Sequence, residues 1–160
     1  MNMVRTVIGI DPGLASTGIG IISGTPQCIE KYGFGCIKTS PQFTHQSRIY
    51  KIYSELSEIF DKEKPSMVVI EDAFSVPEFP KSGIILGKVI GAVMVACSTS
   101  GVNSMDVQVR LAKQILTGNG KASKEQLEKA VRNYLGHKIK ISPFHASDAL
   151  ALAIIGIMRL

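Results

Sequence analysis

The first part of the chain consists of short apolar runs separated by glycine and proline. Val4 to Ile10 is apolar and β-branched and stops at Asp11-Pro12-Gly13, and Thr17 to Ser23 is a second such run, closed by Gly24-Thr25-Pro26. Cys28 to Thr39 is a third run, interrupted by two glycines. Three short runs of this kind, with turn residues between them, predict an antiparallel meander.

Helical periodicity then replaces the strand pattern. Apolar residues from Ile49 to Phe60 recur at helical spacing, which predicts an amphipathic helix. Met67 to Ile70 is a continuous apolar run, as expected of a central strand covered on both faces. Ser82 to Ser98 is expected to form a buried helix, and Val102 to Met105 a short strand.

Two more helices are predicted near the C-terminus. Ser123 with Gln126 is a capping-box pattern, and the last helix is expected from Phe144 to Arg159, with Ser142 as its N-cap. The chain is therefore predicted to be a single α/β domain over residues 1–160. Its five-stranded mixed sheet would have three antiparallel strands followed by two parallel ones, with helices on both faces.

Composition narrows the class of protein. Apolar residues make up 45% of the chain, which argues against disorder, and no uninterrupted apolar stretch approaches the roughly 18 residues of a membrane span. Cys28, Cys36 and Cys97 lack metal-binding spacing and are expected to be reduced, buried thiols in a cytoplasmic protein. The net charge is +5, and basic residues dominate between Arg110 and Lys140. This regional excess favours a polyanionic partner.

Two acids stand where apolar strands end. Asp11 follows Ile8-Gly9-Ile10, and Glu71 follows Val68-Val69-Ile70. Ligands collect at the carboxyl ends of strands in α/β sheets, so parallel neighbours would present these two acids side by side. Two anions held so close need a cation or a shared proton, and oxygen ligands favour Mg²⁺ or Mn²⁺. Taken singly, each acid could instead form a turn or cap a helix.

A third acid and a histidine share one face of the last helix. Asp148 lies about one turn after His145, near the start of a helix that is otherwise almost wholly apolar. A carboxylate and an imidazole at the mouth of a buried helix need a partner. The alternative is that Asp148 complements the helix dipole and His145 caps the helix.

Four short motifs, in this order and spacing, resemble those of the RuvC family over essentially the whole chain. They are Ile8-Gly9-Ile10-Asp11-Pro12-Gly13 with Thr17-Gly18, Gly35-Cys36-Ile37-Lys38-Thr39, Val69-Ile70-Glu71-Asp72-Ala73-Phe74 and Ala146-Ser147-Asp148-Ala149-Leu150-Ala151. The resemblance implies an RNase H-like fold and a homodimeric Holliday junction resolvase, which nicks a four-way DNA junction symmetrically and leaves 5′-phosphate and 3′-hydroxyl ends. It also implies a cytoplasmic role in recombination and DNA repair, with the branch-migration proteins of the Ruv system as partners and no membrane.

The resemblance also assigns roles to the candidate site residues. Asp11, Glu71 and Asp148 carry over as ligands of two metal ions, with Asp11 bridging them and His145 joining Asp148. Two ions about 4 Å apart can activate a water and stabilise the leaving oxygen. Many members have Asp where this chain has His145, which leaves the choice between Mg²⁺ and Mn²⁺ open.

Three residues match family positions that contact DNA. Lys113 and Lys124 match basic positions near the scissile phosphate, although either could instead belong to a solvated helix face. Phe74 follows the second acidic motif and matches an aromatic that can stack on an unpaired base or wedge a junction open.

A stripe of glycines lies on the predicted helix from Ser82 to Ser98. Gly83, Gly87 and Gly91 recur every four residues, and each costs a helix interior about 1 kcal/mol. The absence of Cβ atoms lets another backbone approach, either the chain's own sheet or last helix, or a partner. Because this helix contributes to the dimer interface in the family, the resemblance implies that at least one of the three glycines contacts the partner chain.

Three other functions fit parts of the pattern. The Asp11 loop also resembles the phosphate loop of actin-like ATPases and sugar kinases, but those proteins need a second such loop and a far longer chain. A YqgF-like nuclease acting on RNA shares the fold, whereas the Phe74 loop and the Lys124 segment favour RuvC. A catalytically idle binder of DNA structures is not favoured, because every acidic position is present.

Overall fold

The computed structural model describes residues 3–72 and 80–160. Five strands form its sheet: β1 (Arg5–Asp11), β2 (Ser16–Thr25), β3 (Cys28–Lys38), β4 (Met67–Glu71) and β5 (Ser104–Val107). The helices are α1 (His45–Glu63), α2 (Pro80–Thr99), α3 (Val109–Thr117), α4 (Lys124–Leu135) and α5 (Phe144–Arg159).

The sheet has the strand order β3-β2-β1-β4-β5. β1 pairs antiparallel with β2, and β2 antiparallel with β3, so β1 and β3 run in the same direction. β4 lies parallel to β1, and β5 parallel to β4. The predicted mixed sheet is therefore confirmed, and the carboxyl ends of β1, β3, β4 and β5 all lie at one edge of it.

Alternation along the central strands divides the core into two layers. In β1, Ile8 and Ile10 pack on one face with residues of α1 and α2, whereas Val7 packs on the other with α5. β4 alternates in the same way, because Val68 and Ile70 face α1 and α2 while Val69 faces α5. Helices thus cover both faces of the sheet, as predicted.

Glycines in β1 and β2 let α5 lie directly on the sheet. A Cβ atom on Gly9 would overlap the carbonyl oxygen of Ala149, and one on Gly18 would overlap the carbonyl oxygen of His145. Backbone atoms cannot give way as the end of a flexible side chain can. These positions therefore fix how closely the first turns of α5 approach the end of β1.

Two details of the helices differ from the prediction. The helix α3 was not predicted, because it has only 9 residues and its N-cap Gln108 makes no side-chain hydrogen bond. Ser142 is not the N-cap of α5, since Pro143 occupies that position in an extended conformation. The capping box of Ser123 and Gln126 is confirmed at the start of α4.

The prediction of a buried α2 is wrong for one face of the helix. Val89 and Val93 are fully buried in the core beside α1, but Ile84 is 63% exposed, and Met94 and Val95 are exposed as well. Within the described residues α2 is the one helix whose length and composition would allow a membrane span, and 22% of its apolar window is buried. One face of α2 therefore belongs to the core and the opposite face is apolar and open.

The three cysteines also differ from one another. All are free thiols, but only Cys97 is buried, while Cys36 is partly exposed and Cys28 is exposed. The expectation of buried thiols is therefore wrong for Cys28, which lies at the start of an edge strand.

Candidate metal centre and DNA interface

The register of the sheet brings the first two acids together. Ile10 of β1 is the partner of Ile70 of β4, so Asp11 and Glu71 leave the same edge as neighbours. Because side chains alternate along a strand, both acids point to the face that carries Val7, Val69 and α5. Their carboxyl groups are hydrogen-bonded to each other.

The start of α5 supplies the other two candidate ligands. His145 lies over Gly18, and its Nδ1 is 2.6 Å from Oδ2 of Asp11. Asp148 follows one turn later and is 7% exposed. Its Oδ1 is buried and has no hydrogen-bond partner in the described part of the chain. The site therefore contains an acceptor oxygen that residues 3–72 and 80–160 do not satisfy.

Burial makes it costly for these acids to ionise together. It raises the pKa of Asp11 to about 6, and the nearby Asp148 acts in the same direction. Burial raises the pKa of Glu71 to about 8, helped by its hydrogen bond to Asp11 and by the charge of Asp11. The pKa of Asp148 is raised as well, first by burial and then by Glu71. A bound cation would offset this repulsion and desolvation.

The donor set fits a hard divalent cation. No group of three or more His, Cys, Asp or Glu side chains within residues 3–72 and 80–160 forms a ready-made cage. A cavity of about 610 Å³ opens instead beside Asp11, Glu71 and Asp72. Mg²⁺-type sites commonly use few carboxylates and complete their shell with water and substrate phosphate oxygens. The unsatisfied oxygen of Asp148 and the open cavity agree with a site of this kind.

Both predicted lysines lie close enough to act on the acids. Lys124, the first residue of α4, lowers the pKa of Asp11, Glu71 and Asp148. Lys113 of α3 lowers the pKa of Asp148. The structure therefore brings positive charge to the rim of the acidic cluster from two separate helices.

One basic residue near the acids was not singled out from the sequence. Arg110 lines the cavity beside Asp11 and Glu71, together with Gln108. It precedes Lys113 by three residues, and this spacing puts both on one side of a helix. The spacing of Arg110 and Lys113 is visible in the sequence, but it points to the site only once α3 is known to be a helix beside the acids.

The remaining predicted residues have different outcomes. Phe74 lies outside the described residues. Gly83 is partly buried in the first turn of α2. A Cβ atom on Gly87 or Gly91 would meet nothing within 4 Å, so neither glycine packs against the chain's own sheet or last helix.

Comparison with known proteins assigns the chain to a family. The model of the family described as "Crossover junction endodeoxyribonuclease RuvC" matches residues 7–156. The protein of that name from Chlorobium phaeovibrioides is 38% identical over 154 residues, which are 96% of this chain and 81% of that protein. The protein of the same name from Treponema denticola is 37% identical over 153 residues, with coverages of 96% and 85%.

A solved structure agrees with these sequence matches. Thermus thermophilus RuvC in complex with a Holliday junction substrate superposes with a TM-score of 0.83 at 30% identity, over 94% of this chain and 90% of that one. A likeness over this share of both chains indicates a common RNase H-like fold. The chain belongs to the RuvC family of crossover junction endodeoxyribonucleases.

Proposed function

We propose that the chain resolves four-way DNA junctions in homologous recombination and DNA repair, by hydrolysing one phosphodiester bond in each of two opposed strands. The observation that carries this proposal is the crowded cluster of Asp11, Glu71 and Asp148, which has lysine charges near it and an open cavity beside Asp11 and Glu71. The names of the relatives, and the junction bound to Thermus thermophilus RuvC, support DNA junctions over the RNA substrates of a YqgF-like nuclease.

Membership of this nuclease family implies dependence on a divalent metal. Two ions, Mg²⁺ or Mn²⁺, would be held by Asp11, Glu71, Asp148 and His145. When bound, they would supply an activated water and stabilise the leaving oxygen, which gives 5′-phosphate and 3′-hydroxyl ends. No side-chain nucleophile is then required.

The side chain of His145 would orient one of the carboxylates that hold the metal ions. In the tautomer that carries its proton on Nδ1, His145 would donate to Asp11 and orient that carboxylate, and the lone pair of Nε2 would then be available to a cation. The small separation between α5 and β2 at Gly18 sets the position of the ring. In this proposal His145 would act both as a positioning group for Asp11 and as a metal ligand.

Lys113 and Lys124 have a second role besides stabilising the acids. Their charges lie at the acidic cluster, where a scissile phosphate would be seated between metal ions and helices. They would attract the DNA backbone and stabilise negative charge that develops during hydrolysis. Arg110 lines the cavity beside Asp11 and Glu71 and would add to this positive field. Phe74 is proposed to stack or wedge at the crossover.

Symmetric incision requires two sites held in a fixed relation, and the open face of α2 is the proposed homodimer interface. Ile84, Met94 and Val95 are exposed there, and no described residue occupies the space over Gly87 and Gly91. A two-fold axis makes such a face meet its own copy. The protein would act on the chromosome in the cytoplasm, with branch-migration proteins of the Ruv system as partners.

Substrate choice and metal dependence test the proposed function together. We expect the wild-type protein to nick a synthetic four-way DNA junction with Mg²⁺ or Mn²⁺, to be inactive in EDTA, and to leave the linear duplex of the same sequence intact. Glu71→Gln should bind the junction and not cleave it, whereas Glu58→Gln, a change at an exposed residue of α1, should leave cleavage unchanged. Cleavage of an RNA substrate in preference to the DNA junction would contradict the proposal.

A further inference from the structure

A second basic cavity lies apart from the acidic cluster, between the end of β3 and the start of α1. Its volume is about 380 Å³, and Lys38, Arg48 and Lys51 line it together with the hydroxyl residues Thr39 and Ser47. No acid among the described residues lines this cavity, and the first turn of α1 carries none. Glu55 pairs with Lys51 at 3.5 Å, but its side chain is 42% exposed, and such a solvated carboxylate does not neutralise three cations.

Arg48 is the unusual member of this cluster. It is only 9% exposed, yet no carboxylate in residues 3–72 or 80–160 pairs with it. Its Nε donates to Oγ1 of Thr39 at 2.7 Å, and this is the acceptor that its guanidinium reaches among the described residues. The terminal nitrogens of Arg48 are not among the buried side-chain atoms that lack a partner, so they keep access to solvent at the cavity. A guanidinium that is otherwise buried is only partly hydrated, and an anion beside it would add charge-assisted hydrogen bonds. The cavity that Arg48 lines is where such an anion would lie.

Thr39 connects the cavity to the catalytic edge of the sheet. The Thr39 hydroxyl donates to the carbonyl of Leu14 at 2.5 Å, and its N–H donates to the carbonyl of Ala15 at 3.1 Å. Leu14 and Ala15 belong to the loop that follows Asp11. Because β3 and β1 run in the same direction two strands apart, strand spacing and rise put Lys38 and Asp11 roughly 12 Å apart at their Cα atoms.

We propose that this cavity is a second phosphate subsite, which receives a backbone phosphate of the junction strand on the side of the acidic cluster opposite to Lys113 and Lys124. The separation corresponds to about two to four nucleotides from the scissile phosphate. Lys38 and Lys51 attract the phosphate, and Arg48 donates hydrogen bonds to its oxygens. The subsite rests on the proposed nuclease function and fixes the strand on a second side of the site.

An aromatic side chain at the rim distinguishes a nucleic-acid strand from a free ion. Phe43 lines the same cavity and is 64% exposed. An exposed ring next to a basic groove is the arrangement by which proteins hold single-stranded or splayed nucleic acid, with the base on the ring and the phosphate on the cations. A site for inorganic phosphate would not require the ring.

The test compares two double variants that remove the same charge from the same two elements. Lys38→Gln with Lys51→Gln changes the cavity, and Lys31→Gln with Lys62→Gln changes exposed lysines of β3 and α1 away from it. All four lysines are exposed, so both proteins should fold. We expect the cavity variant to bind a four-way junction about tenfold more weakly and to lower the slope of log Kobs against log salt by about 1. The control should change affinity by less than about twofold, with the slope unchanged.

A second measurement identifies the phosphate itself. Neutral methylphosphonate groups are placed one at a time along the junction strand, and binding is measured for the wild type and the cavity variant. We expect one position, away from the cleaved bond, where neutralisation weakens the wild type several-fold and leaves the cavity variant unaffected. Arg48→Lys, which keeps the charge but loses the fork of donors, should reduce that effect.

The outcomes separate the subsite from the proposed function. The subsite is wrong and the nuclease function stands if the wild type cleaves the junction, the two double variants bind it equally well, and no methylphosphonate position affects the wild type and the cavity variant differently. If the wild type neither binds nor cleaves junctions, the proposed function is wrong. If inorganic phosphate raises the melting temperature of the wild type but not of the cavity variant, while no position is coupled, the cavity is an ion site and the DNA subsite is overturned.

Discussion

Asp11→Asn should stabilise the metal-free protein while it abolishes cleavage. Asp11 is 7% exposed, and its pKa of about 6 lies above its ordinary value of 3.8, chiefly because of burial. A carboxyl group with a raised pKa contributes most to stability while it is protonated, and this contribution is lost as the pH rises through the folded-state pKa. Asn keeps the shape and an acceptor for His145 but carries no charge.

The magnitude follows from the shift. One pKa unit corresponds to about 1.4 kcal/mol, so a shift from 3.8 to about 6 represents on the order of 3 kcal/mol above pH 6. Asp11 is hydrogen-bonded to Glu71, whose own pKa is raised to about 8, and coupled groups do not add. We therefore expect Asp11→Asn to gain roughly 1 to 3 kcal/mol of unfolding free energy at pH 8, and about half of that gain at pH 5.

Urea denaturation in EDTA at pH 5, 6.5 and 8 measures this difference. Asp61→Asn, a change at an exposed residue of α1, is the matched control and should leave stability unchanged at every pH. Added Mg²⁺ or Mn²⁺ should reduce or reverse the difference in unfolding free energy between Asp11→Asn and the wild type. Only the wild type would be stabilised by binding the ion with all its ligands. A gain that is the same at pH 5 and pH 8, or a loss at pH 8, would refute the role of buried charge.

Three further predictions concern the histidine, the loop aromatic and the glycine stripe. Imidazole suits Mn²⁺ better than Mg²⁺, so the wild type should cleave faster with Mn²⁺, and His145→Asp should reduce the difference between the two rates. If the rates are equal in both metals and His145→Ala leaves them unchanged, the histidine is purely structural. Phe74→Ala should slow junction cleavage at an unchanged melting temperature; a lower melting temperature with normal cleavage per folded molecule would assign Phe74 to the core instead. Gly87→Leu should leave the protomer folded, since its Cβ meets nothing, but should shift sedimentation towards monomer and uncouple the two nicks; a persistent dimer would place the interface elsewhere.

The acidic cluster could be predicted from the sequence because it depends on the alternation of side chains along two strands. Asp11 and Glu71 each follow an apolar run, and parallel pairing of those runs suffices to put them on one face. The contact of His145 with Asp11 depends in addition on the close packing of α5 against Gly18 of β2. No local pattern in α5 indicates this packing. His145 could be assigned to the site from the sequence only because of the order of the family motifs.

Other features depend on tertiary packing that a single sequence does not display. The helix α3 is short and lacks a side-chain cap, so Arg110 could not be placed beside the acids. The apolar run of α2 does not indicate which of its faces the core covers, and Met94 is exposed. The cavity around Arg48 forms only because the end of β3 meets the start of α1.

The most direct measurement is the product of cleavage on a supercoiled plasmid that extrudes a four-way junction. Two incisions within the lifetime of one complex convert this plasmid to a linear molecule, whereas independent incisions give a nicked circle. We predict linear DNA, only with a divalent cation present, and ends that a ligase seals because they carry 5′-phosphate and 3′-hydroxyl groups. Nicked circles alone, ends that cannot be ligated, or cleavage that persists in EDTA would contradict a metal-dependent, paired resolution of the junction.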